Sequence, residues 1–238
     1  MNKICIDTRK YALKIETSGS YSIDVLQSSD ITIHILDNLS VKISFLTKEN
    51  QVSLHVSLGH DSKVIINSLG IDSSINYTCN LFAGSELTCV SSILTSVDSF
   101  NNIFINHKEG NSHARFYANG INKNIKKLYF LIDGVIPKNS LHATLEESSK
   151  IINLALGDSK IVPNLIVDNK EVIANHAAFI GTLNKEDIWY LKSRGIKEID
   201  IKKLLFKSIL LGKMEKDFKE RFIKILLENN NIERGVEI

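Results

Sequence analysis

Proline is almost missing from this chain: two residues, Pro137 and Pro163, in 238. Cysteine is scarce too, with Cys5, Cys79 and Cys89 at no CxxC spacing. An odd number of cysteines without that spacing argues against a disulfide framework and a structural zinc site. The three are expected as reduced, mostly buried thiols, the usual state of free cysteine. There is no run of about 18 apolar residues, so no membrane helix is expected. Met1 to Lys10 lacks the apolar stretch of a signal peptide, and a cytoplasmic location is the expectation. Neither sign of charge dominates: the formal net charge is +2 with 24% charged residues. That balance carries no electrostatic footprint for nucleic acid. A P-loop, a Gly-x-Ser-x-Gly turn and paired catalytic carboxylates at a recognisable spacing are all lacking, so the chain is not expected to be an enzyme.

What is plentiful is isoleucine, serine and asparagine, a choice that favours strands joined by polar turns. From about residue 21 to 175 apolar and polar residues alternate in short segments. Tyr21–Val25, Ile31–Ile35, Val41–Phe45, Val52–Leu58 and Lys63–Ile66 are the first of them. Ile75–Cys79, Glu86–Val90, Asn102–Asn106, Ala114–Tyr117 and Tyr129–Ile132 continue the pattern. A period of two turns one set of side chains inward and the other toward water. Gly, Asn, Asp and Ser separate the segments, as in Lys48–Asn50, Gly59–Ser62 and Gly70–Ser73. The even spacing suits a β-sandwich, a barrel or a β-solenoid, and spacing alone does not choose among them.

The character changes near residue 183. Asn184 is placed to cap a helix whose first turn holds Glu186 and Asp187, with Leu183 and Ile188 as a hydrophobic staple. Ile188, Trp189 and Leu191 supply its apolar side, and Gly195 ends it just after Arg194. A second helix is expected over Lys197–Gly212, with Ile201, Leu204, Leu205, Ser208 and Ile209 on one stripe and Lys202, Lys203 and Lys207 outside it. A third is expected over Glu215–Asn229, with Phe218, Phe222, Ile225 and Leu226 on one face, and a tail that frays after Asn229. The division expected is a strand-built unit, 1–182, and a helical unit, 183–238.

Pro163 to Ile196 reads PNLIVDNKEVIANHAAFIGTLNKEDIWYLKSRGI. Pro163, Leu165, Val172, His176, Ala177, Gly181, Leu183, Tyr190, Leu191, Ser193, Arg194 and Gly195 fall in the order of the C-terminal signature of the SufB/SufD family of iron–sulfur cluster assembly scaffolds. The chain resembles that family here, and the leucine-rich helix continues the likeness to about residue 212. Upstream, Phe130–Ile136 is similar to a strand-turn-strand of the family core, and Leu154–Asp158 to the turn before the proline strand.

The resemblance implies a mainly β protein: a right-handed parallel β-helix followed by a small C-terminal α-helical domain whose helices cover the last coil. It implies a scaffold that pairs through its β-helix with a SufB-like subunit or with itself. It also implies that the C-terminal helices bind a SufC-like ABC-type ATPase, which supplies the ATP hydrolysis. Tyr190, Leu191, Arg194, Gly195, Leu204 and Leu205 are the partner-binding residues so implied.

His176 is the one metal-binding candidate the resemblance carries over, as a ligand of a transient, nascent iron–sulfur cluster. Neutral imidazole is a good iron ligand. It is expected in the turn after a strand at Glu171–Ala174. SufB flanks this histidine with carboxylates, where Asn175 and Ala177 stand here, and carries a cysteine on the preceding strand near the place of Ile151. Without these groups the chain is more similar to SufD. Cys79 and Cys89, ten residues apart, are a thiolate pair only if they stack from coil to coil; core packing is the simpler reading. His55, His60, His107, His113 and His142 form no ligand spacing and are expected at the surface. Two other readings remain: a homodimer serving as sole scaffold of a minimal system, and a carbohydrate-active enzyme on a β-solenoid, which needs carboxylates or bases lined along one face.

Overall fold

The computed structural model describes residues 2–228. The expected fraying after Asn229 lies outside the described residues. The alternating segments become β1 (Asn2–Ile6), β2 (Lys10–Ile15), β3 (Gly19–Val25), β4 (Ser29–Ile35), β5 (Ser40–Lys48), β6 (Gln51–Leu58), β7 (Lys63–Ile71) and β8 (Ser74–Leu81). They continue as β9 (Glu86–Thr95), β10 (Ser99–His107), β11 (His113–Asn122), β12 (Lys127–Ile136), β13 (Thr144–Asn153), β14 (Asp158–Val167) and β15 (Ile173–Thr182). Three helices follow: α1 (Lys185–Ser193), α2 (Glu198–Leu211) and α3 (Lys216–Glu228).

Consecutive strands alternate between two parallel sheets, ordered β1-β3-β5-β7-β9-β11-β13-β15 and β14-β12-β10-β8-β6-β4-β2. That is a β-solenoid, the architecture the resemblance implied. The coils lengthen along the chain. Cross-coil hydrogen bonds span 23 residues at Asn50–Ser73, 26 at Ile75–Asn101 and 31 at Lys108–Asn139.

One corner of the coil has a recurring chemistry. Asn38, Asp61, Gly84, Asn111 and His142 all take positive φ, which asparagine, aspartate and glycine tolerate best. In three successive coils a serine follows and its hydroxyl donates three residues back: Ser62 to Gly59 O (2.7 Å), Ser85 to Phe82 O (2.6 Å) and Ser112 to Glu109 O (2.8 Å). The pattern is a structural repeat without a strict residue repeat.

Inward positions stack in columns. Tyr21, Ile43, Ile66, Cys89 and Phe116 are register partners in turn. Ile31, Leu54 and Tyr77 form such a column on the opposite sheet. Each fully buried side chain of this size contributes roughly 1.5–3 kcal/mol.

Four sequence expectations change. Strands begin at Asn2, not near residue 21, so another coil precedes the expected start. Phe130–Ile136 is not strand-turn-strand but lies within the single strand β12; Gly134 sits in line because a neighbouring side chain needs its space. The helices do not cover the last coil. Phe206, Leu210, Phe218, Phe222 and Leu226 instead share a buried cluster with Leu69, Ile71, Val90, Leu94 and Ile121, on the outer face of the first sheet. Ser92 Oγ donates to Leu210 O (2.5 Å), and Lys42 pairs with Glu215 at 2.9 Å.

Finally, α2 is rotated from the expected stripe. Phe206 and Leu210 face the sheet, Leu205 and Ile209 are partly buried, and Leu204 and Ser208 are exposed. Its sequence is apolar around most of the circumference, so periodicity left the facing stripe open, and the largest side chain took the interface. α3 follows expectation, with Phe218, Phe222 and Leu226 buried. No helix among the described residues is long and apolar enough to cross a membrane.

Candidate functional site

His176 lies inside β15, not in a turn after Ala174. Pairing with β13 holds the chain extended through the full ten residues of Ile173–Thr182. The register sets Ala174 on Leu145, His176 on Glu147, Ala178 on Ser149 and Ile180 on Ile151. Leu145, Glu147, Ser149 and Ile151 are the buried, inward residues of β13. By register their partners on β15 face the same way. β15 and β14 end their sheets, so the imidazole at the end of this column is exposed to solvent.

The same register moves the place of the missing cysteine. The residue beside His176 on the preceding strand is Glu147, flanked by Glu146 and Ser148. Ile151 lies further along, beside Ile180, and is fully buried. A thiol near His176 would have to stand at 146–148.

Directly beneath His176, Glu147 is a carboxylate that sequence reasoning missed. It is 2% exposed, and neither of its oxygens has a hydrogen-bond partner. Burial, with a smaller contribution from Asp133, pushes its carboxyl up to about 7. Gly134 makes room for it and for Leu145: a Cβ there would collide with Leu145 Cδ2 and Glu147 Oε1. The Ser149 hydroxyl, at the next inward position, is also buried without a partner. Elsewhere in the interior Ser68 hydrogen-bonds the Tyr77 hydroxyl. The only hint in the sequence was an acidic pair, Glu146-Glu147, in a segment of alternating burial, where one of the two had to face inward.

Cys79 and Cys89 are core residues. They lie on opposite sheets, Cys79 stacked between Val56 and Ile105, Cys89 between Ile66 and Phe116. Burial pushes the Cys79 thiol up to about 12 and Cys89 well above its ordinary value. A metal ligand must be thiolate, which this setting disfavours. Cys5 is exposed. Among the described residues no three His, Cys, Asp or Glu side chains form a group able to hold a metal ion.

His55, His60, His113 and His142 are at the surface, and His60 bridges Asp37 and Glu109. His107 departs from that expectation: it is fully buried, and desolvation lowers its pKa to about 4. It ends an inward-facing stretch of β10, so burial follows from strand register.

The helix residues separate into two groups. Asn184 caps α1, its side chain accepting from Glu186 N–H (3.0 Å). At the other end Gly195 takes φ +81, Gly195 N–H reaches Lys192 O (2.9 Å) and Ile196 N–H reaches Leu191 O (3.3 Å), a Schellman closure. That turn brings the Arg194 guanidinium over the Tyr190 ring at 5.2 Å. Trp189, 71% exposed, and Tyr190, 51% exposed, are large side chains of α1 open to solvent. Leu183 and Ile188 line a cavity of about 290 Å³ with Leu154 and Leu156, the latter 91% exposed. Leu204 is exposed and Leu205 half-buried on α2. Among the described residues no hydrogen bond or ion pair joins these groups to His176.

A family model for the SufBD core domain of SUF-system FeS cluster assembly matches residues 15–209. That range runs from the end of β2 into α2 and stops before α3. The iron–sulfur cluster assembly protein SufD of Bacillus subtilis (strain 168) is 26% identical over 194 residues, 77% of this chain and 43% of that protein. The chain therefore spans less than half the length of the curated relative it matches.

Proposed function

The chain belongs to the SufBD core family of SUF-system iron–sulfur cluster assembly proteins, and we propose that it is a SufD-like scaffold subunit rather than an enzyme. The observation that carries this reading is the uncovered last coil. β14 and β15 each pair on one side only, and His176 stands at the end of its inward column. An open strand edge is a template for another chain. A SufB-like subunit, or a second copy, docks there and completes the ligand set of a nascent cluster, the cargo of the assembly. His176 alone is too few ligands to hold it.

The SufC-like ABC ATPase docks on the outer side of α1 and the adjoining rim. Trp189, Tyr190 and Arg194 are of the residue types that dominate binding energy at interfaces, and Leu156 adds exposed apolar area. Cytoplasmic location follows from the SUF role in this reading.

Co-expression with a SufB-like subunit and a SufC-like ATPase, followed by affinity capture, tests both contacts. Substituting Trp189 and Tyr190 by alanine should release the ATPase and leave the scaffold pair intact. Ile180→Asp on the open end should do the reverse. Capture of the ATPase undiminished by the helix substitutions would sink the docking assignment. A single-species dimer in the absence of any SufB-like subunit would decide for the homodimer.

A further inference from the structure

A buried carboxylate with no partner is costly, because desolvation is not repaid by any hydrogen bond. Proteins carry few such groups, and each calls for a cause. Glu147 is one, with both oxygens unpartnered at 2% exposure. Its position narrows the cause. It belongs to the penultimate strand of the first sheet, one register step from His176. The next two residues below it in the column, Phe116 and Cys89, are apolar. Hydroxyls and amides are buried in other coils as well, but among the described residues Glu147 is the one buried acidic side chain. Ser149 Oγ, at the next inward position and equally unpartnered, places a third oxygen in that coil.

We propose that Glu147 is a second metal ligand behind His176, so that this chain offers an imidazole–carboxylate pair to ferrous iron at the open end of its solenoid. The proposal rests on the scaffold reading for the identity of the metal and on geometry for the site. Adjacent strands lie about 4.8 Å apart. Two donors on one ion, each roughly 2.1 Å from it, lie within about 4.2 Å of each other, so ligands from register partners fit one metal. Imidazole nitrogen with carboxylate oxygen suits divalent iron, whereas a thiolate pair selects softer ions. Gly134 is part of the device. A larger residue at this position of β12 would occupy space that the Glu147 carboxylate and Leu145 fill. The two ligands come from different coils, so neither a linear motif nor three clustered ligands mark the site; the remaining coordination positions stay open for sulfide or for a partner's ligands.

Anaerobic calorimetric titration of ferrous iron into the metal-free full chain tests this. Wild type should bind one equivalent. E147Q, which keeps shape and removes charge, should bind at least tenfold more weakly, as should H176A, while E147Q melts no lower than wild type in the absence of metal. E147D, charged but on a shorter arm, should also lose affinity, at least fivefold, and decides the matter if E147Q does not fold. Wild-type affinity in E147Q or in E147D overturns the proposal. If H176A alone loses iron, the histidine assignment stands and Glu147 is excluded. If wild type binds no iron, the proposal fails, while the scaffold reading keeps its own test in ATPase capture.

Discussion

Acid should weaken this fold through His107, and the size of the effect follows from its surroundings. The Ser112 hydroxyl donates its one proton to Glu109 O (2.8 Å), so in the 2.7 Å contact with His107 Nδ1 it is the ring N–H that donates. Nε2 then carries the lone pair, and it is buried without a partner. Protonating it creates a desolvated charge, with His113 nearby adding repulsion, and the pKa falls from 6.5 to about 4.

The folded value lies below the unfolded one, so as pH falls the unfolded chain takes up the proton first. Stability is undiminished above pH 6.5, is lost progressively from there down to about 4, and falls no further from this residue below that. Two and a half pH units correspond to about 3 kcal/mol. His107→Asn keeps a donor for Ser112 and removes the titrating nitrogen. At pH 7.5 the variant should be less stable by about 1–2 kcal/mol, for the lost ring volume. At pH 4.5 that deficit should have shifted by about 2–3 kcal/mol in the variant's favour. Urea denaturation followed by circular dichroism at both values measures the difference. An equal gap between wild type and variant at pH 7.5 and 4.5 would refute the assignment of His107 as a buried neutral imidazole.

Three further outcomes are expected. Arg221 on α3 pairs with Asp24 and bonds Ser44 Oγ, tying the last described helix to β3 and β5; Arg221→Ala leaves Asp24 largely buried and should cost about 2 kcal/mol in urea unfolding. Gly134→Ala drives a methyl into Glu147 Oε1 and Leu145 Cδ2; it should cost about 1–3 kcal/mol, and the cost should shrink in a Gly134→Ala, Glu147→Ala double variant, read as a thermodynamic cycle. Gly195→Ala has open space for its Cβ but a left-handed φ of +81; a penalty of about 1 kcal/mol, seen as faster amide exchange at the end of α1, is the expectation, and no change would mean that the turn relaxes at no cost.

The sequence by itself determined the strands from β3 to β12, the helix boundaries to within a few residues and the family. Alternation of period two is local, as are the Asn184 cap and the Gly195 closure, and each reads from a few neighbouring residues. The order of residues from Pro163 to Gly195 is equally a linear signal. Tertiary structure alone decided what depended on coil length and azimuth. Coils that lengthen from 23 to 31 residues hide the register, and with it the fact that His176 lies over Glu147 and that Ile151 does not lie beside it. Which stripe of α2 meets the sheet, and that the helices flank the solenoid and leave its end open, follow from side-chain volumes across elements distant in sequence. His107 and Glu147 carry the same lesson. A polar residue in an alternating strand reveals that it faces inward only once the register is known, and only then does an unpartnered carboxylate at the open end become visible.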